Sequence, residues 1–326
     1  PQEWAWSRKG DSVYCTADIE GRGALFALPF SNRSAKRSAG VPRELVRGGT
    51  FNAPRLTAER VFLLSSAIDA PPEVVSFDLE GGQRRKWTAF TAPLLGKVAL
   101  RPAEEVVFEG ADGDPVQMWV LYPPAPKKGK KRKPPLLHLI HGGPHGSFGD
   151  VWHWRWNSQV FCAKGYAVAM VNFHGSTGWG QEFASSIVGE WGDKPYRDVM
   201  AATDHLIATG RVSAKRLAAA GGSYGGYLSS WIASQTDRFK CIVNHAGVCD
   251  LQAQMGRMLD TGVRINARRE AGDLPDYVLD EVVELTGADR AALVLFDDEG
   301  ERRLAAATTT GACLLSGVLA LVTDDL

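Results

Sequence analysis

The chain has 326 residues, of which 44% are apolar, and its 37 basic and 37 acidic side chains cancel to a net charge of zero. This balance is typical of a globular protein of one large or two medium domains and argues against nucleic acid or a membrane as partner. The five cysteines lack CxxC or Cys/His ligand spacing, which excludes a disulfide framework and a metal site. The longest apolar run, of about eleven residues, is shorter than the roughly 20 needed to span a bilayer.

Residues 1–103 are predicted to form short strands separated by turn residues. The segment DSVYCTAD, followed by GALFALPF, recurs as ERVFLLSS followed by EVVSFDLEGG. The offset of about 48 to 50 residues is typical of four-stranded β-propeller blades. We therefore predict a partial propeller of about two blades. The alternative is a small β-sandwich in which the repeat is accidental.

Residues 104–254 have a different pattern, in which apolar strands alternate with helices. Such alternation predicts an α/β domain with a mostly parallel sheet covered on both faces. Two helices are expected within this region, one over 151–164 that includes three tryptophans and one over 196–209 that ends at Gly210. Six strands are predicted, over residues 104–110, 116–122, 135–141, 166–173, 216–222 and 239–246.

A serine lies in a glycine-rich turn between the fifth predicted strand and the helix after it. Residues 221–225 read GGSYG and match G-x-S-x-G in the strand-turn-helix context that a nucleophilic serine requires. A side chain at either flanking glycine would collide with the neighbouring strand or helix. We therefore predict that Ser223 has a strained backbone and projects from the carboxyl end of the sheet as a nucleophile. The first amides of the following helix would be directed at an oxyanion there.

Two further motifs follow the third and fourth predicted strands. LIHGGPHGSFG spans residues 139–149, and VNFHGSTGWGQEF spans residues 171–183. Together with GGSYGGY, they closely resemble the catalytic domain of the prolyl oligopeptidase family, in particular its dipeptidyl-peptidase and acylaminoacyl-peptidase-like bacterial members. The resemblance covers residues 104–251. It implies an α/β-hydrolase fold after a propeller, peptide substrates and no cofactor.

The resemblance also implies roles for individual residues in the three motifs. Ser223 is the nucleophile, and the amide of Tyr224 is one donor to the oxyanion. The HGGP turn supplies the other donor through the backbone at Gly142 or Gly143. His141 stands where members with an aromatic hydroxyl for this purpose carry tyrosine, so we assign it to substrate binding.

Two more features of the motif regions follow from the same resemblance. The first substrate pocket is expected beside Tyr224, Val248 and Leu251. The segment NFHGS commonly reads N-R-G-S in the family, so His174 is a departure from the family pattern. The peptide specificity and the oligomeric state are left open.

The catalytic acid and base cannot be identified in the chain. In an α/β-hydrolase the acid and then the histidine follow the serine along the sequence. His245 is the only one of the seven histidines beyond Ser223, and it lies ahead of the expected acid. It is either an improvised base or a residue that lines the sheet edge or the substrate pocket. We therefore expect a hydrolase fold truncated after about six strands, with activity that is impaired or lost.

Residues 255–326 are predicted to be an unrelated tail. From about Met255 the sequence resembles the opening helix and strands of a GAF domain, a sensor module of bacterial signalling proteins. A helix is expected over 275–286, a strand over 290–296 and a second strand after a DDEG turn. In one alternative, the first of these strands joins the open edge of the main sheet and brings Asp297 or Asp298 near the usual position of the acid.

Three functions are compatible with this organisation. The first is a serine peptidase that forms an acyl-enzyme on Ser223. The second is a non-catalytic, truncated or chimeric product that at most binds peptides or a partner. The third is a signalling protein that uses the GAF-like tail. The location is left open as cytoplasmic or, if a leader was removed, periplasmic.

Overall fold

The computed structural model describes residues 3–31, 38–124 and 132–248, with short parts of the tail at 263–264, 276–278, 280, 292–296, 302–307 and 319–323. Residues Pro1–Cys249 form one compact unit, and Asp250–Leu326 form a second. No helix within these described ranges is long and apolar enough to cross a membrane.

The N-terminal part of the first unit consists of two antiparallel sheets. In the first sheet β1, β2, β3 and β5 are neighbours in that order and β4 also pairs with β3, whereas β6, β7, β8 and β9 follow one another in the second. The strands are β1 (Glu3–Trp6), β2 (Ser12–Ile19), β3 (Arg22–Ser31), β4 (Ser38–Ala39), β5 (Arg43–Arg47), β6 (Thr50–Leu56), β7 (Arg60–Ala67), β8 (Ala70–Asp78) and β9 (Arg85–Lys86).

The sequence repeat falls on equivalent hairpins of the two sheets. Its first copy forms β2 and β3, and its second copy forms β7 and β8. Alternating apolar residues of these strands, including Leu25, Val61 and Phe77, pack into one shared core. The second sheet has the four strands of a predicted blade and the first has five, because the two-residue β4 also pairs with β3. The propeller itself stays a prediction.

A six-stranded mixed sheet forms the centre of the rest of the first unit. Its order is β10-β11-β13-β12-β14-β15. The pairs β10–β11 and β11–β13 are antiparallel, and the other pairs are parallel. All six predicted strands are confirmed, as β10 (Ala103–Glu109), β11 (Pro115–Leu121), β12 (Leu136–Ile140), β13 (Ala167–Asn172), β14 (Leu217–Gly222) and β15 (Phe239–His245).

Helices cover this sheet. Every residue of β13 is buried, which agrees with its continuous apolar sequence. The helix predicted over 196–209 is α4, and its last turn is followed by Gly210 with a φ of 72°. The helices are α1 (Ala92–Leu95), α2 (Ser158–Ala163), α3 (Gln181–Ser185), α4 (Asp193–Ala208) and α5 (Tyr224–Gln235).

The predicted helix over 151–164 is wrong in its first half, because α2 begins only at Ser158. The side chain of Asn157 accepts a hydrogen bond from the amide of Gln159 and caps the helix there. Before this cap, the His153 ring accepts hydrogen bonds from the amides of Arg155 and Trp156. These bonds stabilise a turn, so the tryptophans precede the helix.

Asp150 joins the N-terminal sheets to the loop that follows β12. Its Oδ1 atom accepts a hydrogen bond from the amide of Ile68 at 3.0 Å, and its carbonyl accepts one from the Thr50 hydroxyl at 3.0 Å. Its amide donates to the carbonyl of Gly21 at 2.7 Å. Burial raises the pKa of the Asp150 carboxyl, while the Ile68 amide and the nearby Arg22 act in the opposite direction. The loop is thus fixed to three turns of the N-terminal sheets.

The second unit contains a three-stranded sheet in the order β17-β16-β18. The strands are β16 (Ala292–Phe296), β17 (Arg302–Ala307) and β18 (Leu319–Thr323), so both predicted tail strands are confirmed. Helical residues 276–278 fall within the helix predicted over 275–286. Because β16 pairs with β17 and β18, the alternative in which it extends the main sheet is wrong. Asp297 and Asp298 lie outside the described residues.

Candidate active site

Ser223 occupies the tight turn between β14 and α5. Its φ and ψ angles are 59° and −122°, a region that residues other than glycine rarely adopt. The residue is exposed, and its amide donates to the carbonyl of His245 on the neighbouring strand at 3.0 Å. The backbone strain expected from the motif is therefore present, and the serine lies at the carboxyl end of the sheet.

The glycines flanking this turn are required by close backbone packing. A Cβ atom on Gly225 would overlap the carbonyl oxygen of Ile140 and lie 2.9 Å from that of His141. A Cβ atom on Gly221 would overlap the carbonyl of Gly225 and lie 2.9 Å from its Cα atom. A side chain at either glycine would therefore collide with a neighbouring strand or helix, as the sequence predicts.

The HGGP loop lies against the serine. A Cβ atom on Gly142 would be 3.4 Å from the Ser223 Cβ atom and 3.9 Å from its Oγ atom. The next residue, Gly143, has a φ of 136° and precedes Pro144 through a cis peptide bond. The backbone of Gly142 is thus close enough to contribute to a site at Ser223.

Tyr224 is the first residue of α5, where the backbone amides have no intrahelical acceptor. Its side chain is buried beneath the turn, and its hydroxyl donates to the carbonyl of Trp191 at 2.7 Å. Burial raises the pKa of this phenol, so it stays neutral at physiological pH. Only the backbone of Tyr224 is therefore available at the site, and the role of its amide as an oxyanion donor stays a prediction.

His141 is buried behind the loop. Its ring stacks on Phe173 with a centroid distance of 4.1 Å, and burial lowers the pKa of the imidazole to about 4. The neutral ring donates from Nδ1 to the Gly142 carbonyl at 2.9 Å, so Nε2 accepts from the Ser176 hydroxyl at 2.9 Å. Both nitrogens are therefore occupied by the protein. The assignment of His141 to substrate binding stays a prediction.

The residues after β15 are only partly described. His245 ends that strand, and its ring contacts Trp156 with a centroid distance of 5.3 Å. Among the described residues, no hydrogen bond joins the His245 ring or any other group to the Ser223 hydroxyl. Val248 is half-buried two residues after the exposed Ala246, and Leu251 lies outside the described residues.

His174 belongs to a buried cluster that the sequence did not reveal. Its Nδ1 atom is 2.8 Å from a carboxylate oxygen of Asp198 on α4, and its Nε2 atom is 3.1 Å from one of Asp114. Asp198 is fully buried and also accepts from the amides of His174 and Ala111, each at 2.7 Å. The cluster fixes the loop after β13 against α4 and the turn before β11.

This cluster controls the charge of the imidazole. Burial alone would lower the pKa of His174, but the hydrogen bond and the charge of Asp198, followed by Asp114, raise it above its usual value, with Lys194 opposing them. The same loop contacts both histidines of the HGGPH segment, through Ser176 to His141 and through the Gly175 carbonyl to His145. The loop that carries His174 therefore also contacts the HGGP loop beside Ser223.

We expect the stability of the protein to fall as the pH rises through the pKa of His174. Because this pKa is raised in the folded state, its contribution is complete below the unfolded value of about 6.5 and is lost above the folded value. A His174→Arg variant keeps the cation at every pH, so its melting temperature should not show this decrease. For a domain of this size, each kcal/mol lost lowers the melting temperature by about 2–4 °C.

The measurement is a series of thermal unfolding curves between pH 6 and 9 for the parent and the variant. A His205→Gln variant is the control, because His205 is an exposed histidine on α4 outside the cluster. It should retain the pH dependence of the parent. An equal decrease in the arginine variant would contradict the assignment to His174.

No sequence signal identified Asp198 as the partner of His174, because the two residues are 24 positions apart and meet only through packing. The contact between Trp156 and His245 was missed for the same reason. Among the described residues, no group of three or more histidine, cysteine, aspartate or glutamate side chains is arranged to hold a metal ion.

Known proteins resemble the chain in the region that carries this site. Residues 152–271 match the model of the prolyl oligopeptidase family. The chain is 32% identical over 253 residues to a probable dipeptidyl-peptidase 5 of Aspergillus clavatus. It is 38% identical over 181 residues to an uncharacterized peptidase, YuxL, of Bacillus subtilis. These alignments cover 76% and 55% of this chain, but 34% and 27% of the two relatives, so the chain spans about a third of the first and about a quarter of the second.

A solved structure supports the fold. The acylaminoacyl peptidase of Pyrococcus horikoshii, in its orthorhombic crystal form, matches with a TM-score of 0.63 at 23% identity. The match covers 76% of this chain and 37% of that protein. The predicted α/β-hydrolase fold is therefore confirmed.

Proposed function

From the match of residues 152–271 to the prolyl oligopeptidase family, we propose that the chain is a member of this family and that residues 104–254 form a serine peptidase domain with Ser223 as the nucleophile. The observation that carries this proposal is the exposed, strained Ser223 beside the HGGP loop. In the proposed division, residues 1–103 are the propeller blades and residues 255–326 are a separate, GAF-like tail.

The reaction would use the backbone around the serine. The Ser223 Oγ atom attacks the carbonyl carbon of a peptide bond, and the oxyanion is stabilised by the amide of Tyr224 and by the backbone at Gly142 or Gly143. The C–N bond then breaks, the amine leaves with a proton, and water hydrolyses the acyl-enzyme. The oxyanion donors belong to a helix N-terminus and a loop that packing holds in place, so they need no rearrangement during the reaction.

Proton transfer is the step for which the fewest candidate groups can be identified in the chain. The serine must lose its proton to a base, and the leaving amine must gain one. In the 326-residue sequence His245 alone follows Ser223 among the histidines, and its ring packs against Trp156. Loss of the triad groups costs factors on the order of 10⁴ to 10⁶ in rate. We therefore propose that these 326 residues by themselves have strongly impaired activity.

A second candidate function is peptide binding without turnover. It is favoured by the same observation, because no described group is hydrogen-bonded to the Ser223 hydroxyl. In this case the loop, the turn and the exposed strand end would hold a peptide that is not cleaved.

A fluorophosphonate probe distinguishes these candidates. If Ser223 is activated, the probe should label the 326-residue chain and the label should map to Ser223 by peptide mass spectrometry. A Ser223→Ala variant, compared at equal folded concentration by circular dichroism, should remain unlabelled. Absence of label on a folded parent chain would favour peptide binding without turnover, and equal labelling of the alanine variant would exclude Ser223 as the nucleophile.

A further inference from the structure

An exposed aromatic segment lies close to Ser223 and has no role in the chemistry described above. Trp154 is 70% exposed and Trp156 is 50% exposed, and neither belongs to a buried core cluster. The turn around His153 fixes the backbone between them. Large aromatic side chains held at the surface in this way are typical of binding sites.

His245 connects this segment to the nucleophile. The Trp156 and His245 rings are in contact at an interplanar angle of 62°, and the His245 carbonyl accepts the hydrogen bond from the Ser223 amide. The His245 ring also lies 3.5 Å from the position of a Cβ atom on Gly222. Trp156 is therefore separated from the serine turn by the thickness of one side chain.

The distance suits a bound peptide. An extended chain advances about 3.3 Å per residue. A peptide whose scissile carbonyl lies over Ser223 would therefore reach across His245 to Trp156 within about two or three residues. The HGGP loop lies beside Ser223 as well, through Gly142, so the aromatic segment adds a further contact surface to the same site.

The chemistry of the surface indicates what it would bind. The guanidinium of Arg155 lies over one face of the Trp156 ring, 5.2 Å from its centre. No carboxylate among the described residues forms an ion pair with this guanidinium. The indole faces favour aromatic or large apolar side chains, while the unpaired guanidinium disfavours a second cation nearby.

We propose that Trp154, Arg155, Trp156 and His245 form a substrate subsite for an aromatic or large apolar side chain, with discrimination against lysine and arginine. The proposal rests on the proposed function, because it assigns a subsite to the same peptide site. Trp156 provides the contact face, and Arg155 disfavours cationic side chains.

The test is a binding measurement that does not depend on turnover. In a Ser223→Ala background, a panel of blocked tetra-alanine peptides with one phenylalanine or one lysine at each position is titrated by calorimetry. At one position, phenylalanine should strengthen binding about tenfold over alanine, and lysine should not. A Trp156→Ala variant should lose this gain, whereas Trp156→Phe should retain most of it. An Arg155→Gln variant should reduce the discrimination against lysine.

The matched control is Trp4→Ala, which removes an exposed tryptophan on β1 of the N-terminal sheets and should leave the phenylalanine gain intact. Equal thermal unfolding of the Trp156 variants ensures that folding is not the cause. The inference is wrong if no peptide shows the gain or if Trp156→Ala retains it, even when the probe labels Ser223. If the gain depends on Trp156 but the probe does not react, the subsite stands and the catalytic proposal fails.

Discussion

A Gly225→Ala variant is expected to lose about 3 kcal/mol or more of unfolding free energy, together with any labelling that the parent shows with a serine-directed probe. The new methyl group would overlap the carbonyl oxygen of Ile140 and approach that of His141. Both oxygens belong to backbone at the end of β12, which cannot move aside as a flexible side chain would. Overpacking usually costs about 1–3 kcal/mol, and a clash with two consecutive backbone carbonyls should reach or exceed the upper end.

The measurement is urea unfolding combined with probe labelling. Gly96→Ala is the matched control, because Gly96 has a φ of −62° and its added Cβ atom would meet only the Ala92 carbonyl at 3.6 Å. This control should unfold within about 0.5 kcal/mol of the parent, as surface substitutions usually do. If Gly225→Ala behaved like the control, helix α5 would not pack against β12 as described.

An Asp198→Ala variant is expected to lose about 3–5 kcal/mol, because it removes the acceptor of three hydrogen bonds in a fully buried position. The two amides and the His174 ring would each lose a partner, and the imidazolium would remain without its nearest counter-charge. The loss should therefore be larger at pH 6 than at pH 9, since only the charged ring depends on the carboxylate charge. The stability of the variant should therefore fall less steeply between pH 6 and pH 9 than that of the parent.

Asp204→Ala tests the same substitution on the exposed face of the same helix. Asp204 is paired with Arg238 at the surface, and exposed pairs contribute roughly 0–1 kcal/mol. Chemical unfolding at both pH values measures the two variants together. Equal, small losses for both variants would show that the buried cluster does not stabilise the loop after β13.

The elements predicted correctly from the sequence are those whose structure is determined by residues within the same segment. The run of apolar residues in β13 and the glycine pair around Ser223 each determine their own structure through burial or steric exclusion. The predicted first half of the helix over 151–164 is wrong because two side chains, His153 and Asn157, accept backbone hydrogen bonds, so that the helix begins only at Ser158. The hydrophobic pattern alone does not show this competition.

The parts of the site that sequence could not predict depend on contacts between distant segments. Asp198 is 24 positions from His174, and Trp156, in the loop after β12, contacts His245 at the end of β15. Neither Asp198 nor Trp156 belongs to a local sequence motif that would predict its partner. The resemblance identified the serine and its loop, but it could not supply the partners of a histidine where the family commonly has arginine.

The attachment of Asp150 bears on how this protein could be shortened. A gene that started at Ala103 would encode the whole mixed sheet, yet it would delete the Ile68 amide, the Thr50 hydroxyl and the Gly21 carbonyl that hold Asp150. Asp150 and Gly142 belong to the same loop after β12, so this loop would lose the contacts that fix it near Ser223. The N-terminal sheets are thus part of the scaffold of the HGGP loop, and a shortened protein would have to retain them or replace those three anchors.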